Sequence, residues 1–498
     1  MRLLWTAVTL ICTINFVHGK TNNGTGKIEI CDTCLCNVNE KYLNCADQNL
    51  YKLFEAKDWD ALISANKTAV LDKVEFKKNG IEVITIFPKL DIRSLSFQHN
   101  KIRQIEDRAF FNLTTLERLD LSDNKLTREA LQSKVFEGHY DSKLYEPLTN
   151  LKWLNLASND LHTLDLDLFD HFPNLETLIL AHNQFRILDG NTVNAISGIP
   201  KLQVLDMSAM ELKEIPSSLF HGPRNTLKVL NLTGNLLTEI PDALHYAANL
   251  VELVLDDLLI EHIGGNYSRL PKLNKLEKLS ISFMRKLQTI EEGAFSGLPA
   301  LREFNCQSNL HLNSIHPHSF NSTEIHGNSS GTNVDWPPIQ SLILYSNNLS
   351  VISKELILYW KEIDEIDIRY NPWKCACENQ WMVNELIPMI KEKSKKNPSL
   401  YEDIKCDHPI EMKGRSFDDL NLKHVGMRCE DYYGRRPERD GPILVGIFIG
   451  ILIGIPVTMA ALFLYRRGCF GIFGYRPNPA DYGRAFYKRT ELREDLHI

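Results

Sequence analysis

Apolar positions recur through the middle of the chain with a period near 24. The pattern L-x-x-L-x-L-x-x-N-x-L starts at Leu71, Ile92, Leu116, Leu151, Leu175, Leu202, Leu227, Leu250, Leu276, Leu301, Ile339 and Ile363, twelve copies in all. Self-similarity at a fixed period marks a stack of repeated units. The steps between copies are 21, 24, 35, 24, 27, 25, 23, 26, 25, 38 and 24, and the two long ones place insertions within 127–150 and 313–338. Within a copy, the apolar spacing seen at Leu151, Leu154 and Leu156 predicts a short strand with one buried face. Asparagine at the ninth position carries an amide that can bond the backbone of its own turn and of its neighbour. Nine copies keep it: Asn79, Asn100, Asn124, Asn159, Asn183, Asn235, Asn309, Asn347 and Asn371. Met210, Leu258 and Met284 replace it, so local irregularity is expected there. The phrases I-E-D-R-A-F (105–110), I-E-E-G-A-F (290–295) and I-H-P-H-S-F (315–320) recur on the return segment, and their phenylalanines should plug the convex side of the core. No single unit buries its own apolar face, so the stack is the folding unit.

Two apolar stretches fall outside the repeats. Residues 1–19 read as a signal peptide: Arg2, then the apolar Leu3 to Val17, then the small-residue site Val17-His18-Gly19. The run 442–465 carries no charge and is long enough to cross a bilayer as a helix. Arg466 and Arg467 follow it, but Arg435, Arg436 and Arg439 precede it, so local charge does not fix the orientation. The signal peptide does, sending 20–441 outside and leaving 466–498 as a cytoplasmic tail. A glycolipid anchor is excluded, because a polar segment follows the apolar run.

The cysteines frame the repeats. Cys12 leaves with the signal peptide; Cys31, Cys34, Cys36 and Cys45 precede the first copy; Cys375, Cys377, Cys406 and Cys429 follow the last. A stack with exposed apolar ends needs caps, and two quartets supply them. An exported chain favours disulfides over zinc. Each quartet allows three connectivities, and spacing alone does not choose among them. The predicted organisation is therefore a cap and lead-in at 20–70, repeats at 71–370, a second cap at 371–430 and a stalk at 431–441. Extended, that stalk reaches at most ~40 Å, which keeps the second cap near the membrane.

The repeats, together with N-P-W-K-C-A-C (371–377) and the following Trp381, resemble the extracellular leucine-rich-repeat receptor and adhesion family over roughly 31–430. The resemblance implies an α/β repeat fold: a solenoid with a curved parallel β-sheet on its concave face and irregular or helical convex segments, here followed by one transmembrane helix. It implies the pairs Cys375–Cys406 and Cys377–Cys429, and from the N-terminal module Cys31–Cys36 and Cys34–Cys45. It also implies roles in cell contact, patterning or receptor assembly.

Charge and chemistry narrow the function. A formal net charge of −7 gives no basic domain of the kind a nucleic-acid partner needs. N-x-S/T sequons at Asn23, Asn66, Asn112, Asn231, Asn266, Asn321, Asn328 and Asn348 all lie on the outer side. There is no H-E-x-x-H, no G-x-S-x-G and no phosphate-binding glycine loop, so neither enzyme nor cofactor is expected. His316, His318 and His326 crowd one insertion, but the repeat phrase already explains the first two, and no metal is expected. Cys306 replaces a core leucine and reads as a buried thiol.

Outward positions three and five of each strand line the concave face, which solenoids use for binding. They begin charged, with Lys73, Glu75, Arg118 and Asp120. They then turn apolar or neutral at Trp153, Asn155, Thr177, Ile179, Val204 and Val229, which suits a contact patch for a protein ligand. The sequon at Asn231 sits in a strand, so a glycan there would border that patch. Gly446, Gly450 and Gly454 share one face of the spanning helix and allow close helix pairing, hence a homodimer. Cys469 just inside the membrane is a site for S-acylation. Tyr475, Tyr482 and Tyr487 could accept phosphate, with the unmodified state as the default, and Leu496-His497-Ile498 resembles a ligand of strand-adding scaffold domains. The expected protein is a single-pass plasma-membrane glycoprotein of recognition or adhesion, with an innate-immune or growth-factor co-receptor as the alternative.

Overall fold

The computed structural model describes residues 29–37, 41–66, 70–140, 145–146, 148–321, 336–358, 363–394, 397–429 and 437–466. The signal-peptide expectation for 1–19, and the expectations at Asn23, His326, Asn328, Cys469, the three tail tyrosines and the C-terminal tripeptide, lie outside them. The chain divides into two compact units, one of residues 1–375 and 379–425, the other of 376–378 and 426–498.

The first unit is a solenoid. One 14-stranded sheet runs its length, with a single parallel strand from each of the twelve repeats. Most of these strands are three residues long, such as Trp153–Asn155 and Thr177–Ile179. Their middle residues align across the sheet: Leu154, Leu178, Leu205, Leu230, Leu253 and Leu279 are in register, and all are buried. The flanking third and fifth positions therefore point the other way. Return segments are bulkier than strands. They carry 3-10 turns such as Ser217–Phe220 and Asp242–Tyr246, and α-helices at Gly190–Ser197, capped by Asp189, and Lys354–Leu358. Strands stack ~4.8 Å apart and helical turns need more room, so the sheet lies on the inner face of the curve.

The convex side of the core is aromatic, as the repeat phrases predict. Phe110 stacks between Phe87 (6.4 Å) and Phe136 (5.7 Å), and Phe136 meets Phe172 edge-on at 4.8 Å. Phe295 and Phe320 pack at 5.0 Å further along, and all of these rings are buried.

The asparagines form a ladder at the turn after each strand. Asn183 Nδ2 donates to the carbonyls of Leu180 (2.8 Å) and, one repeat earlier, Leu156 (2.9 Å). Its Oδ1 accepts from the amides of Asn159 and Leu161, both at 3.2 Å. Three rungs are missing. Met210, Leu258 and Met284 are fully buried, and the Leu258 amide meets Met284 Sδ at 3.3 Å instead of an amide oxygen. The irregularity expected at these repeats does not reach the sheet, whose register is unbroken from Val204 to Ser280. Apolar packing there replaces the hydrogen bonds without moving the strands.

The insertion after Leu126 holds two 3-10 turns, Arg128–Ala130 and Ser133–Val135, and a small hairpin of His139–Tyr140 with Tyr145–Glu146. Residues 322–335 of the second insertion lie outside the described residues.

At the front of the stack, the antiparallel pair Leu35–Asn37 and Tyr42–Asn44 adds two strands to the sheet. Cys31–Cys36 and Cys34–Cys45 staple it, and Trp59 of the helix Ala56–Asn66 covers Phe76 and Phe87. At the far end, Cys375–Cys406 joins the short strands Trp373–Lys374 and Cys406–His408. The buried Trp373 donates Nε1–H to the Ile368 carbonyl at 3.0 Å. These are the pairings the family resemblance implies. The second unit contains the remaining one, Cys377–Cys429, and the helix Pro437–Arg466. Its stretch Gly441–Arg466 is long and apolar enough to cross a membrane.

Candidate binding surface

Strand pairing turns the third positions of the repeats into one continuous row. It runs Tyr42, Lys73, Ser94, Arg118, Trp153, Thr177, Val204, Val229, Glu252, Lys278, Glu303, Ser341 and Glu365. The fifth positions make a second row beside it, including Asn155, Ile179, Asp206, Asn231 and Val254. The six residues singled out from the sequence, Trp153, Asn155, Thr177, Ile179, Val204 and Val229, thus lie on adjacent strands of one face. All six are half-buried.

Trp153 is half-buried because the exposed Arg118 lies over its ring, with the guanidinium carbon 4.1 Å from the centroid. Arg118 forms no ion pair among the described residues. The two are 35 positions apart in sequence, across the first insertion, which is why sequence reading missed the contact. Further along the row Lys278 bridges Glu303 at 2.8 Å. That bond, with Glu252 and Glu277 near by, holds the ammonium above its ordinary range. Polar fifth positions bend back onto the following turn. Asp206 Oδ1 accepts from Ser208 N–H at 2.9 Å, and Asn155 Oδ1 from Ala157 N–H at 3.0 Å. Asn231 Oδ1 accepts from both the amide (3.0 Å) and the hydroxyl (2.6 Å) of Thr233, the third residue of its sequon. Asn231 Nδ2 has no partner among the described residues.

A second cluster sits where the front cap meets the repeats. Glu75 is almost fully buried and accepts from the Tyr42 hydroxyl, while Lys73 and Lys77 each approach it at 2.9 Å. Burial pushes its carboxyl upward, but the bonds from Tyr42, Lys77 and Lys73 outweigh that and hold it at about 2. Burial and the carboxylate together push the Tyr42 phenol up to about 12. The only sequence signal for this cluster was Tyr42-Leu43-Asn44 itself, a strand in register with the first repeat inside what reads as lead-in.

The eighth position of every repeat, just before the asparagine, has positive φ, from Lys78 through Gly234 to Tyr370. Most occupants are small or polar. Phe283 and Tyr370 are not; both are exposed, in a conformation that bulky side chains disfavour by about 1 kcal/mol or more.

The other expected sites are placed as follows. Asn266 and Asn348 are exposed, Asn321 is half-buried, and Asn66 closes a helix. Asn112 Nδ2 already donates to the Phe87 carbonyl at 2.7 Å. His318 N–H donates to His316 Nδ1 at 3.2 Å, and no metal-holding group of His, Cys, Asp or Glu occurs among the described residues. Cys306 is fully buried and unpaired; burial pushes its thiol far up, and Asn309 Nδ2 donates to its sulfur at 3.1 Å. A Cβ added at Gly446, Gly450 or Gly454 would meet nothing within 4 Å.

The family description "Leucine rich repeat" matches residues 91–138, 141–185 and 200–257, and "BspA type Leucine rich repeat region (6 copies)" matches 271–368. Lumican of Rattus norvegicus is 29% identical over 221 residues, covering 40% of this chain and 61% of lumican. Osteomodulin of Mus musculus is 32% identical over 226 residues, covering 45% of this chain and 48% of its own. CD180 antigen of Mus musculus is 26% identical over 338 residues, covering 62% of this chain and 46% of its own. Among solved structures, the TLR13–ssRNA13 complex aligns with a TM-score of 0.46 at 24% identity, covering 72% of this chain and 54% of that one. The chain spans about half the length of the curated relatives it matches.

Proposed function

From the premise that this chain is a member of the leucine-rich-repeat proteins, we propose that it is a single-pass cell-surface receptor that binds a protein ligand on its concave sheet. The observation that carries this reading is the row Trp153–Thr177–Val204–Val229, four adjacent strands presenting uncharged, mostly apolar side chains outward. Such a strip on the face of a solenoid is a surface for association and not for catalysis. The apolar helix Gly441–Arg466 supports membrane anchoring, and the disulfide-stapled caps support an oxidising, extracellular setting. Glycans at the exposed Asn266 and Asn348 fit the same setting. A glycan on Asn231 stands on the fifth-position row and leaves the third-position row open to ligand. Pairing through Gly446, Gly450 and Gly454, acylation of Cys469 and a scaffold at the C-terminus complete the reading.

The role is recognition or adhesion. The second reading is an innate-immune or growth-factor co-receptor that signals through a partner's cytoplasmic domain; the 338-residue likeness to CD180 antigen favours it. Surface expression of the full chain separates the two: adhesion between like chains clusters the cells, and a co-receptor leaves them dispersed. Trp153→Ala with Ile179→Ala should abolish the ligand interaction in either case while leaving surface delivery intact. Intact binding by that double variant refutes the concave site.

A further inference from the structure

The third-position row is graded in charge. On one side of its uncharged middle, Arg118 is exposed, stacked on Trp153 and without an ion-pair partner among the described residues. On the other side a single ammonium, Lys278, sits among Glu252, Glu277 and Glu303, so that side is net acidic. Between them the row is uncharged, through Thr177, Val204 and Val229. A cation held over an indole face keeps its remaining donors for an incoming anion. The excess carboxylates call for a cation of the partner. Arg118 and Glu252 stand five strand steps apart, ~24 Å, which an extended segment of about seven residues spans.

We propose that the row binds its partner in one orientation: an extended protein segment with an aliphatic centre, an acidic side chain over Arg118 and a basic side chain over Glu252. This rests on the concave face being the binding surface, and it adds the polarity of what binds there. Charge complementarity of this kind fixes register and excludes the reversed arrangement, since reversal places like charges together at both ends.

The test uses the full chain in detergent micelles and synthetic peptides with an aliphatic centre, acidic residues at one end and lysines at the other. A photo-crosslinker is placed beside either the acidic or the basic end, and the labelled positions are mapped by mass spectrometry. Acid-end label should fall near Arg118 and Trp153, and base-end label near Glu252 and Lys278. The preference should be about tenfold, because exposed contacts are attractive in one orientation and repulsive in the other. It should vanish near 1 M salt, where the screening length is about 3 Å. Exchanging the charges with Arg118→Glu, Glu252→Lys and Glu303→Lys should invert it. Labelling of the concave face by both ends equally, or a preference untouched by the exchange, overturns the polarity alone. Labelling confined to other faces, or none with any peptide, overturns the concave surface and the polarity together.

Discussion

Asn183→Leu removes one rung of the ladder and leaves its neighbours in place. Asn183 is 2% exposed and holds four backbone groups at 3.2 Å or closer: the carbonyls of Leu156 and Leu180 and the amides of Asn159 and Leu161. Leucine makes none of these bonds, and a buried group left unpaired costs about 1–3 kcal/mol. Taking the lower figure for each, the loss is about 4 kcal/mol, a large part of the net stability of an ordinary domain. Leu258 occupies the same position three repeats on without disturbing the sheet, so the variant should fold. Urea unfolding of the detergent-solubilised full chain, read by tryptophan fluorescence, gives the free energy. Hydrogen exchange at the Asn159 and Leu161 amides locates it. Asn194→Leu, the same change at an exposed helical position, should fall within about 0.5 kcal/mol of wild type. A loss at Asn183 below about 1 kcal/mol, or protection of the two amides unchanged, would refute the ladder as a source of stability.

Glu75 makes stability depend on pH. Its folded carboxyl lies at about 2 against an ordinary 4.5. The contribution is therefore present above pH 4.5 and lost as pH falls from 4.5 towards 2. The partly exposed Lys73 and Lys77 reduce it to about 1–2 kcal/mol. Glu75→Gln should melt below wild type at pH 7 and level with it near pH 2; an equal gap at both would contradict the cluster. Cys306 should resist iodoacetamide in the folded chain and react only after denaturation, because its thiol is buried and its thiolate disfavoured. Peptide mass spectrometry that finds Cys306 modified under native conditions would show the tenth repeat to be open.

Much of this architecture is legible in the chain. Leucine spacing locates each strand, and because side chains alternate, it also decides which residues face outward. The phrase ending in Phe110, Phe295 and Phe320 marks the convex core for the same reason. What escapes the pattern is contact between units. Arg118 reaches Trp153 only because strand pairing skips the insertion between them. Tyr42 becomes a rung of the sheet although the leucine pattern starts 29 residues later, and only pairing with Lys73 reveals it. The three missing asparagines are visible in sequence, but their consequence is not. Met284 sulfur stands in for an amide oxygen, so the strands stay in register where the pattern breaks. The left-handed eighth position is likewise silent, because the pattern leaves that residue unspecified; it becomes informative only where Phe283 and Tyr370 occupy it.

Site-resolved photo-crosslinking on the surface of living cells tests most directly whether a protein partner meets the concave row. A photoreactive residue replaces Val204, half-buried on the concave row, or Tyr267, which is 53% exposed on a return segment. A discrete protein adduct from position 204, and none from the more accessible 267, is the predicted result. Adducts that follow exposure, appearing at 267 and not at 204, would contradict it.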